Sequence, residues 1–509
     1  PTSFLLVFHL SFPSRTMASL QSLAKDTAIY GMSSIVGRFL NYLLFPLYTH
    51  VFAAGTGANG VITNVYSYTA LLFVILTFGM ETTLFRFLNK NEEKDPERVY
   101  TTVLAMVGSI GILFMALVWA FIDPIATQMG YPDHHNYVLM MAAVVALDAF
   151  QAVPFCYLRY LKRPLKFAAL KLSFIALNIL LNLLYFVVLP HVVPSWQIEV
   201  GHVFFVNLIC TGLITLGFWK ELFGVRWRMD RSLIRPMLSY SWPMLVLGIA
   251  GILNQTIDKI IFPWLVPGSE GRVQLGIYGA AVKIAMIMAL ITQAFRYAYE
   301  PFVFAAAKND QSGDNRATYA ATMKYFIIFT LAAFLLVMAY IDVLKYLMGR
   351  DYWEGLPTVA VVMVGEIIKG VYFNLSFWYK LTDRTIWGAW FSTAGCLVLV
   401  ACNLYFIPQY GYMACAWSGV AGYSVAMLLS YFVGQKYYPI NYPLKSIFRY
   451  VALTAALYIG MVIFSDFIDN SFLRLVFNTL LIGIFLTYIV RTDFPLSSLP
   501  VVGKYFRKR

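Results

Sequence analysis

Two apolar stretches between Ser239 and Glu300, joined by a short loop from Pro263 to Gly271, carry five ionisable side chains: Asp258, Lys259, Lys283, Arg296 and Glu300. Each stretch is long enough to cross a bilayer, which takes about 20 apolar residues. A charge at bilayer depth costs roughly 2.5–3.5 kcal/mol on the insertion scale. A chain that keeps several of them gives them a water-filled cavity and something to bind. Asp258 and Lys259 are adjacent, so they point about 100° apart around a helix and need not pair with each other. Lys283 shares a face with Gly276, Gly279 and Ala280. Small residues on that face let a neighbouring helix or a bulky ligand come close. Arg296 and Glu300 stand at i, i+4, the spacing of a structural ion pair.

The same kind of chemistry recurs elsewhere. Thr27, Tyr30, Ser34, Arg38, Asn41 and Tyr48 fall at helical spacing on one face of an early apolar stretch. Arg38 is mid-span. It is either satisfied by carbonyls and hydroxyls of neighbouring helices or turned to a ligand, where its fork suits phosphate oxygens. Asp148 and Gln151 lie one turn apart, and Lys171, Asn178, Asn182 and Tyr185 form a further polar stripe. The asparagines are read as glue between helices. Glu366 and Lys369 at i, i+3 form an expected structural pair, and Glu81 and Arg86 close another apolar stretch near the membrane surface. Cations (Arg38, Arg86, Lys171, Lys259, Lys283, Arg296, Lys369) outnumber acids (Glu81, Asp148, Asp258, Glu300, Glu366). That excess favours an anionic ligand. Asp148 or Asp258, if unpaired, could carry a coupling H⁺ or Na⁺.

The elements that must hold these residues follow from composition. The chain is 60% hydrophobic and 12% charged, with a mean hydropathy of +0.69, against about 25% charged residues in soluble domains. It is an all-α polytopic membrane protein. Apolar segments predict about fourteen transmembrane helices, among them Asp26–Thr49, Val61–Leu88, Pro236–Trp264 and Gly276–Tyr299. Lys and Arg concentrate in alternate loops, which places both termini in the cytoplasm. The net charge of +13 is attributed to that topology, not to nucleic acid. No polar run is long enough for a soluble domain, and there is no phosphate-binding G-x-x-x-x-G-K-[ST] loop. The five cysteines lack metal or disulfide spacing, and no cofactor or metal site is expected. The loop histidines are read as solvated, and the Trp and Tyr at segment ends as interfacial belts. Residues 1–16 are read as an upstream or non-native extension before Met17. An echo between Phe45-Pro46…Gly60 and Phe262-Pro263…Gly276 suggests two similar halves. These are 17–222 and 231–442, followed by 443–509 as two extra helices and a basic tail.

Several segments in order carry a resemblance: KDTAIYGMSSIVGRFLNYLLFPLYTHVF and GMETTLFRFLNK, then ALDAFQAVPFCYLRYLKRPLKFAALKL, TIDKIIFPWL, GIYGAAVKIAMIMALITQAFRYAYEPFVF and IPQYGYMACAWSGVAGYSVAMLLSYFVGQKYYPINY. Together they resemble bacterial polysaccharide-export flippases of the multidrug/oligosaccharidyl-lipid/polysaccharide exporter superfamily, from Met17 to about Tyr442. The resemblance implies two six-helix bundles in a V around a central cationic cavity, plus two C-terminal helices, in the bacterial inner membrane. It implies translocation of a polyprenyl-diphosphate-linked oligosaccharide to the outer leaflet by alternating access, with polymerase and glycosyltransferases as partners and no bond made or broken. Arg38 falls where the related peptidoglycan-precursor flippase has an arginine. Asn41 and Tyr42 depart from that flippase's basic–acidic pattern, which favours the polysaccharide branch. Arg38, Asn41, Lys259 and Lys283 are then the expected cavity residues, Asp148 and Asp258 the ion-coupling ones, and Arg86, Arg296, Glu300, Glu366 and Lys369 entrance or structural charges. Rival readings are an ion-coupled multidrug exporter of the same fold, a membrane polysaccharide polymerase or ligase, and a structural scaffold. The first predicts an acid-rich cavity, and the second a large basic external loop that this chain lacks.

Overall fold

A computed structural model describes residues 42, 44–89, 95–309, 316–382 and 384–493, with side chains of 297–309 excepted. The α-helices of eight or more residues are α1 (Leu44–Val51), α2 (Ala58–Thr77), α3 (Met80–Asn89), α4 (Pro96–Ala120), α5 (His135–Tyr160), α6 (Pro164–Leu183), α7 (Gly201–Leu216), α8 (Arg231–Leu265), α9 (Gly268–Asn309), α10 (Arg316–Ala339), α11 (Leu356–Leu375), α12 (Ile386–Tyr410), α13 (Tyr412–Tyr437), α14 (Leu444–Phe467) and α15 (Ser471–Thr492). Among the described residues twelve helical stretches are long and apolar enough to cross a membrane, and the shorter α7 is a further apolar helix. The expected first span lies mostly outside the described residues, as do Arg38, Asn41 and residues 1–16; its end is α1. The fold is thus the all-α polytopic one that the apolar segments predict.

Local signals set the helix ends. Asp95 caps α4 by accepting from the Arg98 N–H, with Pro96 in the first turn. Pro164 opens α6, and Asn470 caps α15 by accepting from the Phe472 and Leu473 N–H groups. Such caps satisfy donors that a helix start leaves free, and proline is tolerated there because its missing N–H would be unpaired anyway. One break is less expected. Phe78 (φ 50°) and Gly79 (φ 67°) both enter the left-handed region, and they divide one apolar run into α2 and α3. Gly79 serves twice, because a Cβ there would lie 2.9 Å from Met244 Cβ; Phe78 must tolerate a conformation that costs roughly 1–2 kcal/mol for a residue with a Cβ.

Contacts divide the chain into two compact units, one holding residues 72–246 and the other residues 45–71 and 247 onward. In the first unit Leu76, Met80, Leu84 and Leu88 recur every four residues and pack with Tyr100, Val103, Val107, Val145, Ala149 and Val153. Tyr100 and Tyr157 stack at 4.1 Å. The buried Glu221 accepts from Lys166 Nζ at 2.5 Å, and the Tyr100 hydroxyl donates to its backbone carbonyl at 3.1 Å. In the second unit Phe262, Leu275, Tyr278, Ile407 and Cys415 belong to one buried cluster. Four of the five cysteines are buried and Cys402 is half-buried, all as free thiols.

The last two helices are clasped to α10 at one end, and α15 is tied to the end of α10 and the residues after it at the other. At one end Asp493 accepts from Tyr450 at 2.5 Å and pairs with Lys324. At the other, Asp342 pairs with Lys345 at 2.6 Å and with Arg474 at 3.3 Å, while Asn478 donates to the Ala339 carbonyl at 3.1 Å. Asp493→Asn should weaken the first clasp by about 1.5–3 kcal/mol, the scale of a charged hydrogen bond. Hydrogen exchange should then speed up in the Tyr450 end of α14 and the Asp493 end of α15 while α8 and α11 stay unchanged; equal exchange in α14 and α15 would show the clasp to be idle.

Candidate functional site

The most concentrated chemistry in the second unit surrounds a cavity of about 200 Å³. α8 contributes Asn254, Gln255, Asp258 and Lys259, α11 contributes Glu366 and Lys369, and α13 contributes Tyr423. From α9 come Tyr278, Val282, Met286 and Ala289, whose helical spacing makes one lining face. Asp258 is 7% exposed. Its two oxygens accept from Lys259 Nζ at 3.0 Å each, and Oδ2 also accepts from the Tyr278 hydroxyl at 2.7 Å. Lys259 Nζ donates further to the Gln255 carbonyl at 2.9 Å and stands 5.3 Å from the Tyr278 ring centroid. The azimuth between neighbours on a helix therefore does not keep the two charges apart: the flexible lysine stem curls back to the carboxylate.

A second pair occupies α11. Lys369 Nζ meets Glu366 Oε1 at 2.5 Å and lies 5.4 Å from the Tyr423 ring centroid. Glu366 Oε2 is buried without a hydrogen-bond partner among the described residues. Tyr423 closes the group by donating to the Asn254 carbonyl at 2.8 Å. The cavity therefore carries two acids and two bases, each acid beside its own base. An anion drawn to either lysine there competes with the carboxylate beside it.

α2 braces this site. Asn64 Nδ2 donates to the Lys259 backbone carbonyl at 2.7 Å, and Asn59 Nδ2 to the Gly276 carbonyl at 2.9 Å. A Cβ on Gly276 would lie 3.0 Å from the Gly60 nitrogen, and one on Gly279 would collide with Thr63. The small-residue face of α9 is filled by a neighbouring helix, one of the two occupants the sequence allows.

The N-terminal and central part of the chain, residues 23–297, matches a family profile described as polysaccharide biosynthesis protein. The chain belongs to this polysaccharide biosynthesis protein family. No curated protein matches it in sequence. Among solved structures it is similar to the lipid II flippase MurJ in an inward closed conformation, with a TM-score of 0.72 and 13% identity over 91% of this chain and 98% of that one. It is also similar to an inward-facing multidrug resistance MATE family transporter of the MOP superfamily, with a TM-score of 0.61 and 14% identity over 79% and 94%. A MATE structure in the straight conformation gives a TM-score of 0.59 at 14% identity over 82% and 95%. At these identities the likeness is one of fold.

In this family member the remaining charged residues take separate places. Lys283 is exposed and has no ion pair with a described residue; it does not line the cavity of Asp258. Arg296 lies 5.3 Å from the Phe373 ring centroid; its expected partner Glu300 is outside the described side chains. Arg86, in the first unit, lies 4.0 Å from the centroid of the Tyr240 ring. Asp148 lines a different cavity, of about 320 Å³, with Glu81, Gln151, Arg159 and Lys171. There Arg159 Nη2 pairs with Glu81 at 3.2 Å, Lys171 Nζ lies 4.1 Å from the Phe155 ring centroid, and Thr211 donates to Asp148 at 3.5 Å. Gln151 ties α5 to α7 through the Thr211 carbonyl at 2.9 Å. Asn182 donates to the Asn178 carbonyl of its own helix at 2.8 Å, and Asn178 hydrogen-bonds Cys210 of α7.

Sequence reasoning missed Tyr278 and Tyr423, which resemble belt aromatics when read singly. A signal for Tyr278 exists: Asp258 and Tyr278 each lie about two to three turns from the loop that joins α8 to α9, at a pitch of 3.6 residues. A tight antiparallel hairpin brings two such positions to similar height.

Proposed function

We propose that the protein is a flippase that moves a polyprenyl-diphosphate-linked oligosaccharide from the cytoplasmic to the outer leaflet of the bacterial inner membrane, with both termini cytoplasmic. The observation that carries this reading is the paired, mostly buried charge cluster of Asp258, Lys259, Glu366 and Lys369, set inside an apolar helical unit of a polysaccharide biosynthesis protein. Ionisable groups inside membrane spans mark solute or ion paths, and nothing in an inert helix bundle needs two acid–base pairs around a cavity. Alternating access moves the head group while the lipid tail stays in the bilayer. No bond is made or broken, so the protein is not an enzyme.

The geometry of Asp258 suits a coupling role. A proton on its carboxyl would release Lys259 to an anionic ligand, and an anion on Lys259 would favour that proton. The two events are linked reciprocally. Lys283, Arg38 and Asn41 are further proposed contacts for the diphosphate, and Asp148 is the alternative coupling group. Glu366 Oε2, an acceptor without a partner among the described residues, suits a protonated or cationic group, which is the feature that favours the rival reading of a small-cation exporter.

The test is a reconstitution. Proteoliposomes containing the protein and a fluorescent polyprenyl-diphosphate oligosaccharide are treated with an impermeant quencher. The expected result is quenching of both leaflets with the wild type, slowed at least tenfold by Lys259→Ala, with the glycan unchanged in length. Quenching limited to one leaflet, as in protein-free vesicles, would refute the flippase; a lengthened glycan would point to a polymerase; and efflux of a cationic dye without glycolipid movement would favour the exporter.

A further inference from the structure

A cleft of about 630 Å³ opens at the Arg231 end of α8, lined by Arg231, Ile234, Arg235, Leu238 and Trp242 of that helix and by Phe78. It lies wholly in the first unit and is separate from both charged cavities. Positions 231, 235, 238 and 242 follow one another at i, i+4, i+7 and i+11, so they share a helix face about 16 Å long at 1.5 Å per residue. The face is amphiphilic along its length. Two guanidiniums occupy one end. Leu238, Trp242 and the Phe78 ring, whose centroid is 6.3 Å from that of Trp242, line the other. Trp242 is 59% exposed and Leu238 36%, so the apolar end is open.

The arginines differ from their neighbours in one respect. Nearby, Arg98 is bonded to Asp230, Arg228 lies 3.9 Å from Asp95, and the Arg226 N–H donates to Glu97 at 3.3 Å. Bonds from Ser232 and then the Arg98 charge hold the Asp230 carboxyl below the usual carboxylate range. The carboxylates of this surface are therefore already engaged. Arg231 and Arg235 are exposed and make no ion pair or hydrogen bond with a described residue. A loop arginine in water needs no partner, but these two border an apolar wall that water does not suit.

We propose that this cleft seats an anionic phospholipid of the surrounding bilayer. Its phosphate bridges Arg231 and Arg235, whose planar forks match phosphate oxygens, and an acyl chain runs along Leu238, Trp242 and Phe78. The phospholipid is a bound component of the membrane face, distinct from any transported lipid, so the inference does not depend on the flippase reading. Charge complementarity selects the head group, and the length of the apolar face selects a chain-bearing ligand over free phosphate.

The test uses the purified full-length protein in detergent, with retained lipid counted by native mass spectrometry. Phosphatidylglycerol should be retained at least tenfold over phosphatidylcholine. Arg231→Gln/Arg235→Gln should reduce retention to the phosphatidylcholine level, whereas Arg231→Lys/Arg235→Lys, which keeps the charge, should retain part of the preference. Trp242→Ala should lower retention of phosphatidylglycerol but leave that of free glycerol phosphate, which should be negligible, unchanged. Equal retention by the wild type and the Gln variant would overturn the proposal. So would displacement of phosphatidylglycerol by an equimolar polyprenyl phosphate, which would assign the cleft to the carrier lipid.

Discussion

Asp258→Ala should lower the stability of the purified protein by about 3–5 kcal/mol, the cost of breaking a buried ion pair by removing one partner, and should abolish glycolipid movement. The substitution leaves Lys259 Nζ with the Gln255 carbonyl at 2.9 Å and the face of Tyr278, and it removes the acceptor of the Tyr278 hydroxyl. Both side chains are largely enclosed, at 15% and 10% exposure for Lys259 and Asp258, so water compensates little. Asp258→Ala/Lys259→Met should recover most of the lost stability, because it removes the stranded charge along with its partner. It should not recover transport. Thermal unfolding of both variants, beside the vesicle assay, separates the roles. If the single variant melts like the wild type, the pair does not stabilise the unit; if the double variant transports, the pair is scaffolding.

The second large effect is expected at Gly60. A Cβ there would collide with the Arg272 carbonyl oxygen and lie 2.8 Å from its carbon and 3.1 Å from its Cα. These are backbone atoms, so no rotamer change relieves the clash. Gly60→Ala must push the start of α2 away from α9. Overpacking costs about 1–3 kcal/mol. The displacement also strains the bonds from Asn59 to Gly276 and from Asn64 to Lys259, each worth about 1 kcal/mol. A marked fall in melting temperature and in the yield of monodisperse protein is expected. Gly55→Ala is the control, since a Cβ at Gly55 meets nothing within 4 Å. Identical behaviour of the two variants would show that α2 and α9 adjust freely.

The spans were legible because the bilayer imposes a length. A run such as Ile386–Ile407 must be helical and cannot be much shorter, and α12 covers Ile386–Tyr410. The identity of the charged residues was legible too, since Asp258, Lys259, Glu366 and Lys369 stand out against an apolar background. Their partners were not. The Asp258–Lys259 contact depends on how a four-carbon stem folds, which periodicity does not encode. Tyr278 and Tyr423 are told apart from interfacial tyrosines only by depth and by the helix facing them. The counted excess of cations was a property of the composition, whereas the cavity of the second unit is balanced because each lysine spends its charge on a neighbouring acid. The division of α2 from α3 left only Gly79 as a mark, and nothing local announces that Phe78 also turns left-handed.

That division sets a depth scale. α2 has 20 residues, or about 30 Å at 1.5 Å per residue, which equals the hydrocarbon thickness of a bilayer. One segment is thus long enough to span the oily layer by itself, and the 10 residues of α3 are length in excess of it. Beyond such a span Glu81 and Arg86 would sit among polar lipid heads, where a charge is inexpensive and an arginine can reach phosphate. The 40% and 39% exposure of Glu81 and Arg159 fits that level. Their bond is accordingly a surface contact sensitive to salt, unlike the enclosed pair on α8, which ions in solution should barely screen.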